Sequence, residues 1–136
     1  MTYAVSFALQ SAIYDRLIND AGVAAVVGSA VFDAPPSGVA PAAYVLIGDE
    51  IANDNSDKSG GAARHDLDVA VISDAAGFAT AKQIAGAVCD ALIDADLTLS
   101  RGSLIGLHFR SARALRSDNP GQRQIDLRFR AFVADA

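Results

Sequence analysis

Gln122-Arg123-Gln124-Ile125-Asp126-Leu127-Arg128-Phe129-Arg130-Ala131-Phe132-Val133 alternates with period two. Ile125, Leu127, Phe129, Ala131 and Val133 share one face, while Gln124, Asp126, Arg128, Arg130 and Phe132 share the other. Successive side chains of a strand point to opposite sides, so this segment reads as a strand with one face in a core and one toward solvent. Arg64 to Ser73 repeats the pattern, with Leu67, Val69 and Val71 opposed by Asp66, Asp68 and Ala70. Two half-buried strands of this kind require a second layer over their apolar faces.

Two segments can supply that layer. In Ser6 to Asn19, Leu9, Ile13 and Leu17 recur every four residues, with Ala12 and Ile18 widening the stripe. In Gly77 to Ile93, Phe78, Ala81, Ile84, Ala85, Val88 and Leu92 recur at three- and four-residue steps. Both spacings predict amphipathic helices. Val23, Val26 and Val27 suggest a short helical turn that Gly28 ends in a left-handed conformation. Val31-Phe32-Asp33, Tyr44 to Gly48, Leu97 to Leu99 and Ser103 to Arg116 read as further strands, and Ser117 to Gly121 as the turn before the last one. The order α, short α, β, β, β, α, β, β, β implies an α+β fold. It is two-layered, with a mostly antiparallel sheet and two main helices packed on one face.

The 136 residues make one domain, 1–136. Of the apolar residues 28 are Ala, leaving 42 larger side chains to build the core, enough for a chain that buries about two-thirds of its unfolded surface. No apolar run approaches the roughly 20 residues of a membrane span. No basic segment precedes an apolar stretch at the N-terminus, so no signal peptide is expected. The one cysteine, Cys89, excludes an intrachain disulfide and multi-cysteine zinc sites.

Charge is divided along the chain. Residues 1–100 hold 4 Lys and Arg against 13 Asp and Glu; residues 101–136 hold 7 Arg against 3 Asp. Such a molecule suits head-to-tail association with its own copies. The net charge of −5 and the lack of any recognition motif beside the Arg residues argue against sequence-reading of nucleic acid.

Candidate chemistry is sparse. Asp66 and Asp68 fall on one strand face, as paired carboxylates for acid–base work would, but His65 points to the opposite side. His108 reads as an outward or satisfied strand residue. Cys89 sits late in its helix among Ala and Val, without the electropositive setting a nucleophilic thiol needs. A calcium-loop frame beginning at Asn53 has Lys58 where Gly is required and Arg64 where the closing Glu belongs. Neither a phosphate loop nor Gly-x-Ser-x-Gly occurs. The expectation is no enzyme, no cofactor and no metal site.

The ordered series of segments resembles the tail-terminator (tail-completion) family of long-tailed phages and phage-derived gene transfer agents. The resemblance starts with the helix Leu9 to Leu17, then Val31-Phe32-Asp33-Ala34-Pro35-Pro36, Pro41 to Gly48 and, after a polar loop, His65 to Val71. It continues through Ala85 to Leu92, then Phe109, Arg110, Arg113 and the Asp118-Asn119-Pro120-Gly121 turn before Leu127 to Ala131. It implies a homohexameric ring that binds the last ring of the tail-tube protein, stops tube growth and joins a head-side stopper or connector. DNA would pass through its channel without sequence-specific binding. It also implies synthesis in the bacterial cytoplasm, incorporation into the tail of a phage-like particle, and no membrane partner.

Within that reading, Arg128, Arg130, Arg110 and Arg113 are the candidate subunit interface. The polar stretch Asn53–Gly61, with Asp54, Asn55, Asp57 and Lys58, is the candidate tail-tube contact, expected as a loop or hairpin tip. Two rival readings remain. A small-molecule-binding α+β regulatory domain needs a pocket with convergent polar groups. A small hydrolase or isomerase using Asp66 and Asp68 needs a third polar group on the same face and a perturbed carboxylate pKa.

Overall fold

Helix formation begins where the four-residue apolar spacing does. The computed structural model describes residues 3–54, 62–93, 95–116 and 121–135. Their elements are α1 (Ser6–Asn19), α2 (Ala21–Val27), β1 (Val31–Phe32), β2 (Ala43–Asp54), β3 (Ala62–Ser73), α3 (Ala79–Leu92), β4 (Ser103–Arg116) and β5 (Arg123–Ala134). α1 buries Ser6, Ala8, Leu9, Ile13 and Leu17. Asp20 then turns the chain: its side chain accepts a hydrogen bond from the Val23 amide at 3.0 Å and caps α2. Gly28 ends α2 with φ 62° and ψ −126°, which is outside the left-handed helical region but still a positive-φ conformation open in practice only to glycine.

The strands form one sheet in the order β1-β2-β3-β5-β4. All neighbours are antiparallel except β1, which pairs with β2 in parallel through Val31 and Phe32 alone. The centre is the uninterrupted β3–β5 pairing, from Ala62 opposite Ala134 to Ser73 opposite Arg123. Its inner face carries Leu67, Val69 and Val71 beside Phe129, Leu127 and Ile125, all buried. α3 covers this face with Ala81, Ile84, Ala85, Val88, Ala91 and Leu92, and α1 packs beside it. Each large apolar side chain buried this way contributes about 1.5–3 kcal/mol, which is why the two alternating strands set the layer structure. Gly102, at φ 72°, lets the chain enter β4: a Cβ there would lie 2.5 Å from the Ala134 carbonyl oxygen and against Val5.

The outcome differs from the sequence expectation in three places. Leu97–Leu99 forms no strand; both leucines pack onto the core without joining a ladder. The strand expected over Tyr44 to Gly48 runs on to Asp54, so Asn53 and Asp54 belong to β2 rather than to a loop. A register shift between Ile47 and Glu50 breaks the alternation that would have announced this. α3 begins at Ala79 rather than Gly77, since Gly77 takes φ 74°.

Candidate functional site

The helices lie on one face of the sheet, and the polar residues of β3 and β5 line the other. There the register sets Asp66 opposite Arg130 and Asp68 opposite Arg128. Arg130 Nε donates to Asp66 Oδ1 at 2.8 Å and Arg128 Nε to Asp68 Oδ1 at 2.9 Å, each with a second contact from Nη2. The bond from Arg130 holds the Asp66 carboxyl below the usual carboxylate range, with Arg64 and Arg128 adding to the effect. A general acid needs the opposite shift, so the paired carboxylates are sheet-face ion pairs.

On the inner face, His65 is fully buried, as the alternation required. Its Nδ1 lies 3.0 Å from Glu50 Oε2. Glu50 also accepts from the Ser6 hydroxyl at 2.7 Å and from the Tyr3 hydroxyl, and the Tyr3 ring stacks on His65. Burial raises the Glu50 pKa, but the bonds from Tyr3, Ser6 and His65 outweigh it and the net shift is downward. His65 Nε2 has no partner among the described residues. This cluster ties the first turn of α1 to β2 and β3. The alternation of residues 64–73 located His65, but the β2 register shift hid Glu50.

The outer edge of β4 is different again. It holds Arg110, Arg113 and Arg116 and no acidic residue. Register shifts at Leu104/Gly106 and Phe109/Ser111 bend the strand away from regular alternation. Arg110 and Arg113 make no ion pair among the described residues and are exposed. Beneath them, α3 stops short of covering the sheet. A groove of about 260 Å³ remains, lined by Ala85, Gly86, Cys89, Phe109, Ala112 and Leu127. Burial and nearby Asp90 push the Cys89 thiol up, away from the reactive thiolate. His108 lies on the outer face against Phe132.

Of the four candidate interface cations, the sheet therefore holds Arg128 and Arg130 in in-chain pairs. Arg113 lies on the same outer face, opposite Asp126 and beside Asp68 and Arg128 but in no ion pair among the described residues, and Arg110 sits in the irregular stretch of β4. Of the candidate tube-contact residues, Asp54 is the last residue of β2 and exposed. Asn55, Asp57 and Lys58 lie outside the described residues. No helix among the described residues is long and apolar enough to cross a membrane.

Ion pairs spread across a sheet face, a basic edge strand unpaired among the described residues and an apolar groove fit a protein whose chemistry lies in its surfaces: an assembly subunit. The family comparison agrees. Residues 11–134 match the family model described as tail completion protein gp17, and the chain belongs to that family. It is a structural tail protein of the phage type and not an enzyme. Among solved structures, the chain is similar to one in the virion of a native gene transfer agent particle. The identity is 54%, the TM-score 0.92, and the match covers 98% of this chain and 99% of that one. No curated protein matches the sequence.

Proposed function

We propose that the protein is the tail terminator of a gene-transfer-agent-like particle. Six copies form a ring that caps the tail tube and stops its polymerisation. The ring joins the tube to the head-side connector and leaves a channel for DNA. The observation that carries this reading is the end-to-end match, in sequence and fold, to a chain of a gene transfer agent virion.

Arg110 and Arg113 are the first candidates for the subunit interface, since no carboxylate among the described residues pairs with them. Arg128 and Arg130 contribute only if a neighbour's carboxylates compete with Asp68 and Asp66. The tip between β2 and β3, from Asp54 through Asn55, Asp57 and Lys58, is the tail-tube contact. The subunit is made in the bacterial cytoplasm and ends in the tail of the particle.

The test is to mix purified subunit with its tail-tube protein and image the products by electron microscopy. Short tubes closed at one end by a six-fold ring are expected. Unaltered tube lengths with both proteins folded would overturn the proposal.

A further inference from the structure

Both margins of the sheet are open, and they are unlike. At one margin β1 covers β2 only through Val31 and Phe32, so the outer edge of β2 from Gly48 onward has no strand beside it among the described residues. At the other margin β4 exposes its outer edge over 14 residues. The charges divide the same way. Residues 3–54 carry Asp15, Asp20, Asp33, Asp49, Glu50 and Asp54 against Arg16 alone, and Arg16 is turned inward to donate to the Ala91 carbonyl at 2.8 Å. β4 carries three Arg and no acid.

The apolar surfaces are also unlike and of matching form. Near the β1 margin, Phe7 projects from α1 with 78% of its surface exposed, flanked by Asp15 and Asp33. Near the β4 margin lies the groove between α3 and β4, with Phe109 half-exposed in its wall and Lys82 at its rim. A protruding aromatic between carboxylates at one end thus faces outward, as does an apolar recess with a cation at its rim at the other.

Strand direction adds a third constraint. Along the order β2-β3-β5-β4 every step is antiparallel, so β4 runs opposite to β2. Rotating copies about an axis along the strands keeps their directions. It therefore sets β4 of one copy antiparallel to β2 of the next, the pairing most readily added to an antiparallel sheet.

We propose that the sheet continues from copy to copy: the β4 margin of one subunit receives the β1–β2 margin of the next. Phe7 fills the α3–β4 groove, and Asp15 and Asp33 meet Lys82 at its rim and Arg110 on the β4 edge. The occupant of the groove is a second copy of this chain, chosen by charge complementarity. The contact is heterologous and propagates head to tail. This inference rests on the ring reading and specifies which surfaces close the ring.

Cys89 lines the groove and offers a direct probe. Phe7→Cys subunits are assembled on tail tubes, oxidised and run on a non-reducing gel. The expected result is a ladder of covalent species from dimer to hexamer, abolished by adding Cys89→Ser. Dimers alone would mean a two-fold contact and would overturn the head-to-tail assignment. Six-fold caps by microscopy without covalent species would overturn the edge assignment and leave the ring intact. Absence of any ring with the unsubstituted protein would overturn both, and is seen before oxidation.

Charge exchange gives a second readout that needs no new thiol. Arg110→Glu with Lys82→Glu loses capping, and so does Asp15→Arg with Asp33→Arg. Mixing the two variants restores it, because alternating copies then present opposite charges at every junction. Failure of the mixture, with both variants folded, would count against the proposal.

Discussion

Strands β4 and β5 lie side by side and carry the same cation, yet they use it differently. On β5, Arg128 and Arg130 are held by Asp68 and Asp66 of the neighbouring strand, and the opposite face is fully buried. On β4, Arg110 and Arg113 have no such partner among the described residues, and Phe109, Ala112 and Ala114 are left partly open on the face that should be covered. The difference follows from position. A central strand has a neighbour on each side to satisfy both its faces and its backbone, whereas an edge strand has one. Residues that read alike in sequence are thus bound into the fold in one case and left exposed on an edge strand in the other.

The largest expected effect is on the aromatic pair Phe129 and Phe109, which meet edge to face at 6.0 Å. Phe129→Ala empties a fully buried site and should cost about 3–5 kcal/mol in urea unfolding of the free subunit. Phe109→Ala should cost about 1 kcal/mol or less there, because its site is half open to water. Equal losses would mean that β4 is as much core as β5.

A smaller effect is expected at Glu50. Glu50→Ala strips the buried His65 of its partner and should cost about 1–3 kcal/mol, read by the same unfolding. Its pH dependence has a definite sign. The Glu50 and Asp66 pKa values are lowered in the folded state, so the stability they add is complete above the unfolded carboxylate value, about 4. That stability is lost as the pH falls through the depressed folded values. Glu50→Gln should flatten this acid limb, while substitution of an Arg on β4 should leave it unchanged.

Smaller again is the ion-pair ladder. Asp66→Asn should cost about 1 kcal/mol, since the pair with Arg130 is only partly exposed to solvent. The smallest effect is expected for Arg113→Ala, within about 0.5 kcal/mol of the parent, because it is exposed and makes no ion pair among the described residues. A loss as large as that of Asp66→Asn would erase the distinction between the two strands.

How much of this was legible follows from where the backbone is regular. In β3 and β5 an unbroken period of two identified every inward residue, including His65 and Phe129. α1 was readable to its ends because Leu9, Ile13 and Leu17 mark three successive turns. β4 was readable as a strand but not in its facing. Its two register shifts put Leu104, Leu107, Phe109, Ala112 and Ala114 on the inner side, at steps of three, two, three and two. β2 hid its second half for the same reason. The cation pairs were invisible because a partner depends on which strands become neighbours, and β3 and β5 are not consecutive in the chain.

That non-consecutive neighbourhood also governs how a subunit comes into being. The middle of the sheet joins residues 62–73 to residues 123–134, with α3 and β4 made in between. Translation must therefore pass through a long interval in which β3 has only β2 beside it, and β4 emerges before the strand that will hold it. Closing so wide a loop is slow compared with local helix formation. The centre of the sheet waits for the last strand to leave the ribosome. A chain interrupted before residue 123 has no central strand and no seated edge, so it cannot stand in for a complete copy in a particle.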